Sequence, residues 1–194
     1  MSLLERLQKE SPKELAKRSY DSMNWFRKRV QRLRIPARRF YQTSGIEKTD
    51  RYIDGKMYMY FYDAKTQDKL PYWDRFPCVI VIEDYRDGSF LGMNLHYIPP
   101  RYRIRLLDGL FEYTNNEKFD ETTRIRMTYQ LLTSVAKLKW AKPCIKKYLK
   151  SNIVGNALDV DPEYWDLIAL LPVTQFQKEN ANKVYAYAKK EIYG

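Results

Sequence analysis

One histidine, two cysteines and seven glycines in 194 residues leave little material for several kinds of chemistry. A structural zinc site needs four His or Cys ligands, usually in close pairs, and Cys78, His96 and Cys144 are widely spaced. Cys78 sits in an apolar, strand-like run and Cys144 follows Pro143, so two buried thiols of a reducing compartment are expected. The glycines form no phosphate-cradling loop and no dinucleotide fingerprint, and no Walker lysine is present. No apolar run approaches the ~18–20 residues that span a bilayer. The first ten residues also lack the apolar segment and cleavage site of a signal peptide. The expectation is a protein made in a cytoplasm, with no membrane partner, no metal and no cofactor.

What the chain has in excess is positive charge and aromatic side chains. The formal net charge is +11, with 15% Phe, Trp and Tyr. The charge is uneven: residues 1–40 hold twelve Lys or Arg against four Asp or Glu. A basic arm on a near-neutral body points to a polyanion or to an acidic protein surface. Ser11-Pro12-Lys13-Glu14 has the chemistry of a helix start: a capping hydroxyl, a proline with no N–H to satisfy, and a capping-box glutamate. Leu15, Met23, Phe26, Val30 and Leu33 then share one face of a basic amphipathic helix ending before Pro36.

Residues 41–56 read as a linker, and 57–194 as a globular α+β domain with a β-core over 57–98 and helices over 99–194. Strands are predicted at Lys56–Tyr62, Cys78–Glu83 and Phe90–Ile98, with Asp87-Gly88 as the hairpin turn between the last two. Three twisted strands suggest a small antiparallel sheet, barrel-like in character. Residues 70–77, with two prolines and three aromatics, read as an ordered loop. Pro99-Pro100 opens the helical half, where Tyr102, Leu106, Leu110 and Tyr113 share a face. Asp120 caps the next helix, Cys144 to Lys150 reads as a short helix, and Asp161-Pro162 starts another; a last helix runs from about Glu179 to Ile192.

Catalysis finds few candidates. His96 lacks a neighbouring nucleophile motif and reads as a structural hydrogen-bonder or an interface residue. Asp159, Asp161 and Glu163 alternate near a helix start, which explains them as cap residues; a metal-dependent nuclease is the remote alternative. No catalytic residue is assigned, and an enzyme is not expected. The strongest binding candidates are cations interleaved with aromatics: Arg18, Trp25, Arg27, Lys28, Arg29, Arg32, Arg34, Arg38 and Arg39. Arginine outnumbers lysine six to one from Arg27 to Arg39, which suits bidentate contacts to phosphate or carboxylate. Tyr72 and Trp73, aromatics in a loop, are interface candidates alongside His96.

Three segments carry a family resemblance: Met57-Tyr-Met-Tyr-Phe-Tyr-Asp63, Leu70-Pro-Tyr-Trp-Asp-Arg-Phe-Pro77 and Gly92-Met-Asn-Leu-His-Tyr-Ile-Pro-Pro100. Pro143-Cys-Ile-Lys-Lys-Tyr-Leu149, Glu163-Tyr-Trp165 and Leu171-Pro172 add to it. Together they resemble small virion-associated proteins of large contractile-tailed, T4-like bacteriophages. The resemblance implies a non-enzymatic virion protein: a tail, baseplate or head-tail part that helps assembly and docks through its basic arm on other virion proteins or on further copies of itself as a homo-oligomer. The alternative it implies is a protein that contacts double-stranded DNA and protects packaged ends. Salt separates the two, because phosphate contacts weaken steeply as counterions return.

Overall fold

The computed structural model describes residues 35–114 and 118–193, together with Lys28 and Arg32. Nearly all of the arm helix expected between Ser11 and Pro36 lies outside them; Lys28 and Arg32 are helical and exposed. In chain order the elements are α1 (Ala37–Thr43), β1 (Lys48–Thr49), β2 (Met57–Tyr62), β3 (Trp73–Asp74), β4 (Cys78–Asp84) and β5 (Ser89–Asn94). Then come α2 (Pro100–Thr114), α3 (Glu121–Ala136), β6 (Ile145–Leu149), β7 (Ile153–Val160), α4 (Trp165–Leu170), β8 (Phe176–Gln177) and α5 (Ala181–Tyr193). No described helix is long and apolar enough to cross a membrane.

The fold is α+β around a six-stranded antiparallel sheet of order β1-β7-β2-β4-β5-β6, with β3 and β8 pairing separately. The sheet is open rather than barrel-like, with β1 and β6 as its edges. Strand β2 shows why both faces are covered. Alternation sends Met57 and Met59 to one core and Tyr58, Tyr60 and Tyr62 to the other. Strand β4 does the same with Cys78, Ile80 and Ile82 against Val79 and Val81. The first core is closed by helices, through Leu107 and Leu110 of α2, Leu132 of α3, Ile168 of α4 and Val184 of α5. The second is closed by loops and aromatic rings: Tyr52 stacks on Phe90 at 4.9 Å and Phe90 on Tyr148 at 5.5 Å. Each buried side chain of this size stabilises the fold by roughly 1.5–3 kcal/mol before entropy is counted.

Four expectations are corrected. Residues 41–56 do not behave as a free linker: β1 pairs with β7, the Tyr41 hydroxyl donates to Asn156 O at 2.7 Å, and Gly55 N donates to Val81 O at 2.8 Å. The helical half also contributes three strands, β6, β7 and the short β8. Residues 145–149, read as helix, form β6 because β5 offers its free edge, in register from Ser89 against Leu149 to Met93 against Ile145. The strand expected through Ile98 stops at Asn94, whose side chain accepts from His96 N at 2.9 Å and turns the chain into a 3₁₀ helix at Leu95–Tyr97. On α2, Leu106 and Leu110 are buried as their spacing predicts, but Tyr102 is 41% exposed.

Candidate nucleic-acid interface

The three-residue spacing of Ala37 and Phe40 decides how α1 presents its charge. Ala37 and Phe40 turn inward, Phe40 edge-on to Phe76 at 6.5 Å, so Arg38 and Arg39 are left exposed. Lys28 and Arg32 stand four residues apart, hence one above the other on a helix face, and both are exposed. Among the described residues none of these four cations is in an ion pair. Arg18, Trp25, Arg27, Arg29 and Arg34 lie outside the described residues.

The interface aromatics face inward more than their loop position suggested. Tyr72 is half-buried and stacks on Tyr187 at 5.7 Å and 5°. Trp73 is half-buried beneath the Lys178 ammonium, 5.6 Å from the ring centroid. His96 is corrected outright: it is 0% exposed and offers nothing to a partner. Its Nδ1 lies 2.6 Å from Asp74 Oδ2, and its Nε2 is buried with no hydrogen-bond partner among the described residues.

Asp74 is the hub of a buried polar centre. Its Oδ1 accepts from Phe76 N at 3.1 Å and Gln175 N at 3.2 Å, and its Oδ2 from Asn94 Nδ2 at 3.3 Å. Burial alone would raise the Asp74 carboxyl, but the His96 ring and these donors together hold it below the ordinary carboxylate value. Burial pushes the His96 ring down, against the pull of Asp74. Arg103, 3% exposed, donates to Ile98 O, Ala169 O, His96 O and the Tyr185 hydroxyl, tying α2 to α4 and α5. Nearby Cys78 is no nucleophile, since burial raises its thiol to about 12. The centre fastens β3 and β8 to the end of β5.

A cleft of about 460 Å³ lies between α3 and the end of β7, lined by Lys56, Glu121, Arg124, Asp159, Asp161 and Glu163 among others. Lys56 Nζ stands 3.4 Å from Glu121 and 3.8 Å from Asp159, occupying the position between carboxylates that a metal would need. Among the described residues no group of three or more His, Cys, Asp or Glu is arranged to hold a metal ion. Burial raises the carboxyls of Asp159 and Asp161, with Lys56 working against it in both.

The body carries a second cationic tract. Residues 137–150 contain six lysines and no acidic residue, a local signal masked by the larger charge of the arm. The exposed cations of the described body thus include a group on α1 and another in the connection into β6. The model of a family described as the phage T4 terminal DNA protecting protein matches residues 2–193. The chain belongs to this family. No curated protein and no solved structure matches it. Membership of the DNA protecting family agrees with the resemblance to T4-like phage proteins and extends it over nearly the whole chain.

Proposed function

We propose that this chain is a non-enzymatic phage protein that binds the ends of double-stranded DNA and shields them by occupancy. The observation that carries the reading is the family match over residues 2–193, whose name specifies protection of terminal DNA. That name speaks for the DNA-end alternative and not for a tail, baseplate or assembly role. The chemistry supports it: +8 of the net +11 lies in residues 1–40. Lys28, Arg32, Arg38 and Arg39 are exposed with no ion pair among the described residues. In this reading the arm supplies phosphate contacts, and the body bars enzymes from the terminus. Protection by occupancy calls for no catalytic group. Residence in the virion, with contacts to other virion proteins, belongs to the same proposal.

An exonuclease that digests duplex DNA from its ends provides the test. Linear DNA incubated with the protein is expected to survive digestion, and to lose that protection when Lys28, Arg32, Arg38 and Arg39 are all changed to Ala. Digestion at the same rate with and without the protein would refute the reading.

A further inference from the structure

The connection from α3 to β6 combines three exposed lysines with an exposed leucine on a rigid support. Of the six lysines in residues 137–150, three are already engaged. Lys147 pairs with Asp87 at 3.0 Å, Lys150 with Asp84 at 2.6 Å, and Lys146 lies over the Tyr97 ring at 4.6 Å, with the Glu191 carboxylate also acting on it. Lys146 and Lys147 have an ordinary explanation, because lysines on an edge strand such as β6 discourage pairing with another sheet, and Lys150 just past its end is held by Asp84. That explanation does not reach Lys137, Lys139 and Lys142, which precede the strand. All three are exposed, and among the described residues none is in an ion pair. Lys137 as the C-cap of α3 answers the helix dipole, but Lys139 and Lys142 lie beyond it.

The local geometry sets Lys139 and Lys142 on one side. Lys139–Cys144 is a 3₁₀ helix, in which residues three apart eclipse, so Lys139 and Lys142 project together. Ala141 at 0% and Cys144 at 3% exposure anchor the opposite side in the core. Leu138 N donates to Val135 O at 2.9 Å and Ala141 N to Leu138 O at 3.0 Å, fixing the turn. Leu138 itself is 47% exposed, between Lys137 and Lys139, with the half-buried Trp140 next along the chain. Leu138 thus keeps a large apolar side chain partly exposed at the entry to the 3₁₀ helix, next in sequence to two of the exposed lysines.

A duplex presents phosphates along its sides, and its one broad apolar surface is the unstacked face of the terminal base pair. We propose that this connection seats a DNA end: Lys137, Lys139 and Lys142 take the last phosphates, and Leu138 rests against the terminal base pair. The inference rests on the DNA-end reading and adds to it a second surface, on the body, that distinguishes an end from the side of a duplex.

The test uses the full chain, a labelled blunt-ended duplex, and as competitor either the same DNA in linear form or a covalently closed circle. The wild-type protein is expected to prefer linear over circular DNA. Changing Lys137, Lys139 and Lys142 together to Ala should weaken binding to the linear duplex at least tenfold, and lower the salt slope by about two to three. Leu138→Ala should reduce the preference for linear DNA by about fivefold while leaving affinity for the circle unchanged, as expected for loss of partly buried apolar contact. Since all four side chains are exposed, an unchanged thermal midpoint shows that the variants fold. A triple variant that binds and protects linear DNA like the wild type would overturn this inference and leave the proposed function standing. Loss of linear and circular binding alike, with Leu138→Ala keeping its preference for ends, would overturn the end seat. A wild-type chain that binds no DNA would remove both.

Discussion

At the scale of single residues, His96 is the informative case. Its scarcity was plain in the sequence, and so was its reading as a structural hydrogen-bonder. Its partner was not, because Asp74 lies 22 positions earlier in a segment that read only as an ordered loop. The pair has a consequence for pH. An unfolded histidine takes a proton near pH ~6.5, while burial holds the folded His96 ring below that value. Protons therefore bind the unfolded chain in preference, and stability is lost as pH falls below about 6.5. Asp74, also held low, adds to the loss in more acid solution. Asp159 and Asp161 act in the opposite sense, since raised carboxyls favour the folded state as they protonate. With one histidine in the chain, the window between about pH 5.5 and 7 is nearly free of other side-chain titrations. Thermal unfolding should show a midpoint that falls from pH 7.5 to 5.5. His96→Asn, which retains a donor toward Asp74, should be less stable at pH 7.5 but flatter across that window. Equal slopes for the two proteins would refute this assignment.

Elements were legible where local chemistry decides them. Asp120 caps α3 by accepting from Thr123 N at 2.8 Å, as its place before the apolar run suggested. Asp87-Gly88 makes the β4–β5 turn, with Gly88 at φ +80°. Strands β6 and β7 were missed because their reason for existing is distant in sequence. Strand β7 pairs Leu158 with Met59 and Val160 with Met57, and this partnership, with β1 on the other side, makes a strand of residues containing Gly155 and Asn156. Gly92, inside β5, is required by close packing: a Cβ there would stand 2.2 Å from Val79 Cγ1. Val79 is 0% exposed and β-branched, so it has little room to yield. Gly92→Ala should cost about 1–3 kcal/mol, measured by denaturant unfolding. A loss under about 0.5 kcal/mol would mean that the sheet absorbs the methyl group.

At the scale of the whole molecule, charge was the most legible property and also an incomplete guide. Net charge pointed at once to the arm, but the lysines of the α3–β6 connection emerge only when the acids that neutralise Lys147 and Lys150 are located. The α+β class could be read from alternating and helical periods. The open six-stranded order could not, because it joins strands from both halves of the chain. The function proposed here joins that charge distribution to membership of the terminal DNA protecting family. Its central claim is a phosphate grip by the arm and α1, and a salt series reads that grip directly. Binding of the full chain to linear duplex DNA should fall steeply with salt, and changing Lys28, Arg32, Arg38 and Arg39 to Ala should make the log–log slope shallower by about three to four. Affinity that is insensitive to salt and unchanged in the variant would contradict the account.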